Sequence, residues 1–158
     1  MTQRMDYAAI AAGGMKAFGG VHLYIRQCGL PASLVDLVYL RVSQINGCAY
    51  CIDVHSRDLL KGGMAIEKLV LAPAWREAGE MFSEQERAAL QWAETVTRVA
   101  ETAVPEAEFH DAAARFTEKE LADLTIAIGL MNAYNRLAIS FRTVPQALQH
   151  PSRPMLRA

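Results

Sequence analysis

The sequence has little of what would assign it to several large protein classes. Its 158 residues carry a net charge of −1, so they lack the basic excess with which nucleic-acid-binding proteins neutralise phosphates. Its apolar runs are interrupted by Gly, Arg or His well before the roughly 20 residues that a membrane span requires. The segment after Met1 includes Arg4 and Asp6, and no apolar segment typical of a signal peptide follows it. We therefore expect a cytoplasmic protein that binds neither nucleic acid nor membrane.

Cysteine is also scarce, and its spacing is more informative than its number. There are three cysteines, an odd count, and a cytoplasmic compartment keeps thiols reduced, so a disulfide framework is excluded. Cys48 and Cys51 form a C-x-x-C pair. Cys28 instead continues an apolar stripe at helical spacing, and we interpret it as a residue of the hydrophobic core.

Strand patterns are missing as well. No segment alternates apolar and polar residues with a period of two, whereas apolar residues recur every three or four positions along most of the chain. With no linker or repeat dividing it, the chain is predicted to form an all-α, single-domain helical bundle over residues 1–144. Residues 145–158 contain Pro145, Pro151 and Pro154, and they are predicted to form a tail or docking arm that does not continue the last helix.

Local signals place the ends of most helices. Glycine near proline is typical of a helix end, and Ser or Thr with Glu three residues later is typical of a capping box at a helix start. The predicted boundaries are an end at Gly29, a start at Ser33, a start at about Cys48 with an end at Gly62, helices from Glu84 to Glu101 and from Glu118 to Arg142, and a shorter helix from Pro105 through Phe116.

One charged residue falls on an apolar helix face. Arg41 lies four residues from both Leu37 and Ile45, on the side of its helix that is predicted to be buried. A cation in that position must either reach the surface or meet a carboxylate. We therefore expect a partner for Arg41 from another helix or subunit.

The residues best suited to catalysis lie between positions 44 and 55. On a helix, Cys48 and Cys51 are neighbours at i,i+3, close enough for a disulfide after modest adjustment. His55 follows Cys51 at i,i+4, so its imidazole can act on that thiol's proton directly or through a water. This pattern favours thiol redox chemistry over a zinc site, for which no second Cys or His pair supplies the fourth ligand. The remaining histidines, His22 among them, are expected at the surface or at helix flanks.

Activation of the thiol is the main chemical requirement of such a site. An ordinary thiol is only about 3% ionised at pH 7. A nearby histidine and the positive end of a helix dipole both lower a thiol pKa. Since the pair is predicted to lie in the first helical turn, both sources of activation are available.

The stretch from Asp36 to His55 resembles the core motif of the alkylhydroperoxidase D family, within the carboxymuconolactone decarboxylase-like superfamily. That motif is an upstream carboxylate followed by N-G-C-x-x-C-x-x-x-H, which the sequence matches from Asn46 to His55. The resemblance implies an all-helical fold assembled into trimers or hexamers. It also implies peroxide reduction by the cysteine pair without a metal, flavin or other cofactor, and regeneration by an external dithiol such as a lipoyl-bearing or thioredoxin-like protein.

By motif position, the resemblance makes Cys51 the peroxidatic thiol and Cys48 the more exposed resolving thiol. His55 and the upstream carboxylate would form the proton relay. Two residues differ from the family pattern: the carboxylate is usually Glu and here is Asp36, and the residue before the second cysteine is His in the best-studied members and here is Tyr50. These differences predict either a relay through an intervening water or slow peroxide turnover.

The sequence leaves three functions open. The leading hypothesis is a thiol-dependent peroxidase, in which a sulfenic acid on Cys51 condenses with Cys48 to a disulfide that an external dithiol reduces. The second is a lyase of the carboxymuconolactone decarboxylase type, whose members typically lack the cysteine pair. The third is a non-enzymatic oligomer in which the pair only switches between dithiol and disulfide.

Overall fold

The computed structural model describes residues 2–149, and no β-strand occurs within them. The helices of this part of the chain are α1 (Tyr7–Ile10), α2 (Ala12–Gln27), α3 (Ala32–Asn46), α4 (Ala49–Lys61), α5 (Ile66–Leu71), α6 (Glu84–Thr97), α7 (Val99–Thr102), α8 (Glu106–Ala113), α9 (Glu118–Phe141) and α10 (Gln146–Gln149). Two short 3-10 segments, Ala72–Glu77 and Gly79–Met81, join α5 to α6. The all-α class predicted from the hydrophobic periodicity is confirmed. None of the helices described is long and apolar enough to cross a membrane.

Helix α3 lies at the centre of the fold. Helices α4, α6 and α9 all pack against it, and nine of its fifteen residues are buried. A helix that is covered on several sides must be apolar around most of its circumference, as α3 is. Its central position places Asp36 in the interior and carries the chain directly into the turn that precedes Cys48.

Both predicted capping boxes are present. Ser83 and Glu86 cap the start of α6, and Thr117 and Glu120 cap the start of α9, each pair exchanging hydrogen bonds between side chain and backbone. Helix α9 then runs without a break to Phe141, one residue short of the predicted end. Because a reciprocal cap depends only on residues three positions apart, it can be recognised from the sequence.

The predicted helix from Glu84 to Glu101 is wrong in its last turn. Helix α6 ends at Thr97, and Arg98 leaves the helical conformation with φ −101° and ψ 32° before the short α7 begins. The break lies among β-branched residues, including Val96 and Val99, which are poor helix formers because their side chains are restricted against the preceding turn.

Three other boundaries differ from expectation. Helix α8 ends at Ala113, three residues before the predicted end at Phe116. Helix α3 starts at Ala32, with Pro31 and not Ser33 at the N-cap position, since the Pro31 carbonyl accepts hydrogen bonds from the amides of the first turn. After Pro145 the predicted tail begins with one helical turn, α10, because a proline costs no hydrogen bond at a helix start. Positions 150–158 of the predicted tail lie outside the described residues.

Arg41 has the partner that its position on a buried face requires. Its Nε donates to Glu94 Oε1 at 2.7 Å, and Glu94 comes from α6. The same carboxylate accepts from Trp75 Nε1 at 2.9 Å and pairs with Arg76. Burial alone would raise the pKa of Glu94, but these three donors hold it below its ordinary value. One buried carboxylate therefore joins α3, α6 and the 3-10 segment Ala72–Glu77.

Candidate active site

The turn between α3 and α4 positions the first cysteine. Gly47 adopts the left-handed conformation, with φ 69°, at the end of α3, and the amide of Cys48 donates to the Ser43 carbonyl at 2.9 Å. Cys48 thereby becomes the N-cap of α4, a position usually held by Ser, Thr, Asp or Asn. Its sulfur accepts a hydrogen bond from the backbone amide of Cys51 at 3.4 Å.

The two thiols have opposite pKa shifts because they share a hydrogen bond. The Cys51 thiol donates to Cys48, and the backbone amides of Cys51 and Tyr50 add to this, so the pKa of Cys48 is lowered to about 7. The same hydrogen bond, together with burial, raises the pKa of Cys51. These contacts therefore favour ionisation of Cys48 over ionisation of Cys51 in the reduced protein.

The expectation that Cys48 is the more exposed thiol is wrong for this chain. Cys48 is 1% exposed and Cys51 is 5% exposed. The N-cap position turns the Cys48 sulfur back onto the end of its own helix, where neighbouring elements cover it. Cys28, predicted to be a core residue, is only half-buried and packs at the edge of the main core.

A buried polar network from α3 and α9 lies behind the cysteine pair. Asn135 is fully buried, accepts from Asn46 Nδ2 at 2.9 Å, and donates to Ser43 Oγ at 3.1 Å. Hydrogen bonding from Asn135 also contributes to lowering the pKa of Cys48, and it opposes the rise at Cys51. The sequence analysis missed this residue, although a polar side chain four residues after Met131 on an apolar helix face is a detectable signal.

Asp36 and His55 are neighbours in the fold, and a third residue holds them. His55 Nδ1 lies 3.8 Å from Asp36 Oδ1, a distance suited to an ion pair when His55 is protonated but too long for a direct hydrogen bond. Arg26, from α2, donates to both carboxylate oxygens of Asp36 at 3.2 Å. Burial would raise the pKa of Asp36, but His55 and Arg26 keep it below its ordinary value. Asp36 is therefore a carboxylate at neutral pH.

Cys51 lines a cavity of about 200 Å³ together with His55, Tyr50 and His22. The prediction that His22 lies at the surface or at a helix flank is wrong, because α2 brings its half-buried ring against Tyr39, which also packs on His55. Burial lowers the pKa of His22, and the positive charges of Arg26 and His55 lower it further. His22 is therefore neutral near pH 7.

Cys48 lines a different cavity, of about 290 Å³. Its walls come from the turn before α4, the end of α9 and the segment after it, and Tyr50 is shared with the Cys51 cavity. The two free thiols are therefore neighbours, yet they line separate cavities on either side of Tyr50.

The part of the chain that the structure describes contains no set of side chains that could hold the zinc ion considered as an alternative. Within residues 2–149, no three side chains of His, Cys, Asp or Glu come together in an arrangement that could hold a metal ion. The cysteine pair and His55 are instead surrounded by apolar residues and by the hydrogen-bonding groups of α3 and α9.

Comparison with known proteins gives consistent matches. The sequence pattern of the carboxymuconolactone decarboxylase family matches residues 11–95, a range that includes Asp36, both cysteines of the pair and His55. The uncharacterized protein YdfG of Bacillus subtilis (strain 168) is 34% identical over 140 residues, which cover 89% of this chain and 95% of that protein.

Solved structures share the fold over most of this chain. A protein of unknown function from Agrobacterium tumefaciens, whose name connects it with antioxidant defence and AhpD, superposes with a TM-score of 0.88 at 36% identity and covers 96% of this chain and 100% of its own. An uncharacterized peroxidase-related protein from Silicibacter sp. TM1040 gives a TM-score of 0.77 at 21% identity, with 89% and 74% coverage. The second match shows the fold alone.

Proposed function

This chain belongs to the carboxymuconolactone decarboxylase family, and we propose that it acts as a thiol-dependent peroxidase of the alkylhydroperoxidase D type. The observation that carries the proposal is the hydrogen-bonded cysteine pair at the start of α4, with Cys51 and His55 lining one cavity. Peroxide reduction requires a thiolate beside a space for substrate and a group that supplies protons, and this arrangement supports all three requirements.

The first step is oxidation of Cys51. The proton that Cys51 shares with the Cys48 thiolate passes to Cys48, which leaves the negative charge on Cys51, beside the cavity. The Cys51 thiolate attacks the terminal oxygen of the hydroperoxide, a sulfur–oxygen bond forms, and the O–O bond breaks. The departing alkoxide takes a proton from His55 and leaves as the alcohol, so that Cys51 becomes a sulfenic acid.

The second step uses Cys48 as the resolving thiol. Cys48 loses its proton and attacks the sulfur of Cys51, the sulfur–oxygen bond breaks, and hydroxide leaves as water after taking up that proton. The product is a disulfide between residues three positions apart. An external dithiol then transfers two electrons and two protons to the disulfide and is itself oxidised to a disulfide.

Asp36 and Arg26 serve as positioning residues for His55. The carboxylate of Asp36 lies 3.8 Å from the His55 imidazole, and Arg26 fixes that carboxylate by contacting both of its oxygens. Asp36 is one methylene shorter than the Glu of the family motif, which is consistent with the 3.8 Å separation from His55. In place of the histidine that precedes the second cysteine in other members, the cavity receives an imidazole from His22 of α2.

Turnover of an organic hydroperoxide is the direct test of this proposal. We expect the reduced protein to consume tert-butyl hydroperoxide catalytically when a dithiol such as dithiothreitol is present, and to accumulate a disulfide between Cys48 and Cys51 when it is absent. Loss of hydroperoxide and peptide mass spectrometry measure the two results. Oxidation that stops after one equivalent with every dithiol offered would contradict the peroxidase and favour the redox switch.

Ionisation of the pair provides a second prediction. Because the Cys51 thiol donates to Cys48, we expect the reduced protein to form one thiolate with an apparent pKa of about 7, and the second thiol of the pair to stay protonated to far higher pH. The ultraviolet absorbance of the thiolate, followed against pH, measures this. The step should vanish in Cys48→Ser and persist in the matched variant Cys28→Ser. Persistence of the step in Cys48→Ser would show that the charge resides elsewhere.

A further inference from the structure

Part of the wall of the Cys48 cavity is formed by residues that have no role in the proposed peroxidase reaction. Four of its lining residues come from the segment 142–149, which we call the C-terminal strap. They are Arg142, Thr143, Pro145 and Leu148. The strap begins where Arg142 adopts a left-handed conformation, with φ 55°, which turns the chain back from the end of α9 towards α4.

The strap is attached to α4 at few points. Pro145 is buried, and the backbone amide of Ala147 donates to Asp53 Oδ2 at 2.9 Å. The other residues of α10 are exposed, and Leu148 is 65% exposed. The amide of Gln146 also contributes a hydrogen bond to Asp53. A one-turn helix held by one buried residue and by hydrogen bonds to one carboxylate opens at a much lower free energy than helices packed in the core.

Any reductant must reach a sulfur that is almost entirely covered. Cys48 is 1% exposed, so a thiolate from another molecule cannot contact it until some covering group moves. The other walls of this cavity are the turn at Gly47 and the end of α9, both of which belong to the packed part of the fold. The strap is the cover with the fewest attachments.

We propose that the reducing dithiol reaches the Cys48–Cys51 disulfide through the Cys48 cavity, and that the C-terminal strap gates this route. This proposal rests on the proposed function, and it assigns the reducing dithiol, which is the second substrate of that reaction, to a separate face of the protein. Peroxide uses the Cys51 cavity, and the reductant uses the space on the other side of Tyr50. Oxidation and reduction of the pair are therefore controlled by different parts of the chain.

Reduction at this face is a thiol–disulfide exchange in two steps. A thiolate of the reductant attacks Cys48 Sγ, the disulfide bond breaks, and Cys51 leaves as a thiolate that takes up a proton. The second thiol of the reductant loses its proton and attacks the reductant sulfur that is bound to Cys48. The bond between the two reductant sulfurs forms, the bond to Cys48 breaks, and Cys48 is released as a thiolate. Access determines which sulfur is attacked, and the strap limits access to Cys48.

The test measures the two half-reactions separately. For reduction, the disulfide is formed with diamide, a general thiol oxidant, and its reduction by dithiothreitol is followed by stopped-flow fluorescence. For oxidation, the reduced protein is mixed with tert-butyl hydroperoxide. Because diamide forms the disulfide without peroxidase activity, the reduction experiment remains informative even if the proposed function fails.

Releasing the strap should accelerate reduction of the Cys48–Cys51 disulfide and leave oxidation of the thiols unchanged. We expect Asp53→Ala, which removes the acceptor for the Ala147 amide, to raise the rate constant for reduction by about fivefold, as loss of one hydrogen bond allows. The rate constant for oxidation should stay within about twofold. The matched control is Arg57→Ala, which removes the side-chain partner of Asp53 without touching the strap, and it should change neither rate. Equal rates of reduction in Asp53→Ala and in the wild type would overturn the gate.

Filling each cavity in turn tests the route itself. Ile139→Trp places bulk in the Cys48 cavity, and we expect it to slow reduction about tenfold while oxidation is unchanged. Val54→Trp places bulk in the Cys51 cavity and should have the opposite effect. Circular dichroism establishes that both variants are folded. Slower reduction in Val54→Trp together with normal reduction in Ile139→Trp would place the reductant in the peroxide cavity and refute the separate route.

Discussion

Replacing Cys51 by serine is expected to lower hydroperoxide turnover at least about a thousandfold, to the background rate of the dithiol alone. Cys51 is the thiol that shares a cavity with His55, so it is the sulfur on which the O–O bond would break. A serine hydroxyl has a far higher pKa than a thiol and is not oxidised by peroxide under these conditions. The decrease in tert-butyl hydroperoxide over time, with excess dithiothreitol, measures the effect.

The partner variant separates the two roles within the pair. Cys48→Ser should consume one equivalent of hydroperoxide, leave a sulfenic acid on Cys51 that mass spectrometry detects as one added oxygen, and then stop. Cys28→Ser is the matched control, since Cys28 lies at the edge of the core outside the pair, and it should turn over normally. Full peroxidase activity in Cys51→Ser would refute the assignment. Activity on a lactone substrate in a variant lacking both Cys48 and Cys51 would instead favour the lyase.

Removing the carboxylate of Glu94 is expected to cause the largest loss of stability in the chain. Its two oxygens hold Arg41, Arg76 and the indole of Trp75, and the side chain of Arg41 is only 12% exposed. In Glu94→Ala the Arg41 cation remains buried without its partner, a change that costs about 3–5 kcal/mol. Urea unfolding followed by far-ultraviolet circular dichroism measures the free energy of unfolding.

Controls distinguish the buried charge from a general loss of helix. Glu101→Ala removes an exposed carboxylate and should change the free energy of unfolding by less than about 0.5 kcal/mol. Replacing Arg41 and Glu94 together by leucine should restore part of the stability, because no buried charge is then left unpaired and Arg76, whose side chain is 50% exposed, can reach water. A loss below about 1 kcal/mol in Glu94→Ala would show that Arg41 finds water or another partner.

The contribution of Glu94 also depends on pH in a defined direction. Its pKa in the folded protein is lowered, so the ion pair stabilises the fold fully above the ordinary carboxyl pKa of about 4.3. This stability is lost as the pH falls through the lower folded-state value. The difference in unfolding free energy between wild type and Glu94→Ala should therefore shrink in acid.

Much of the fold could be predicted from residues that are close in the sequence. The capping boxes at Ser83 and Thr117, the glycine at position 47 and the C-x-x-C pair each depend on contacts within about four residues, where helical geometry determines the distances. The same applies to the spacing of Cys51 and His55. Where the local signals were weak, as in the β-branched run around Val96, the predicted boundary was wrong.

The pKa values of the cysteine pair could not be predicted from the spacing of the residues. The i,i+4 rule places a histidine near Cys51, but it does not say which thiol receives the hydrogen bonds of the helix N-terminus. In the structure Cys48 is the N-cap and accepts from the Cys51 amide, which lowers the pKa of Cys48, whereas the pKa of Cys51 is raised.

The sequence by itself determined the helical class, the position of the cysteine pair at a helix start, and the need of Arg41 for a carboxylate, because each follows from local geometry or from the cost of burying a charge. Only the tertiary structure decided that Arg26 and His22 of α2 join the site, that Asn135 of α9 lies beneath the thiols, and that each thiol faces its own cavity. These contacts join helices that are separate along the chain, and their positions are set by how the apolar faces of the helices pack around α3.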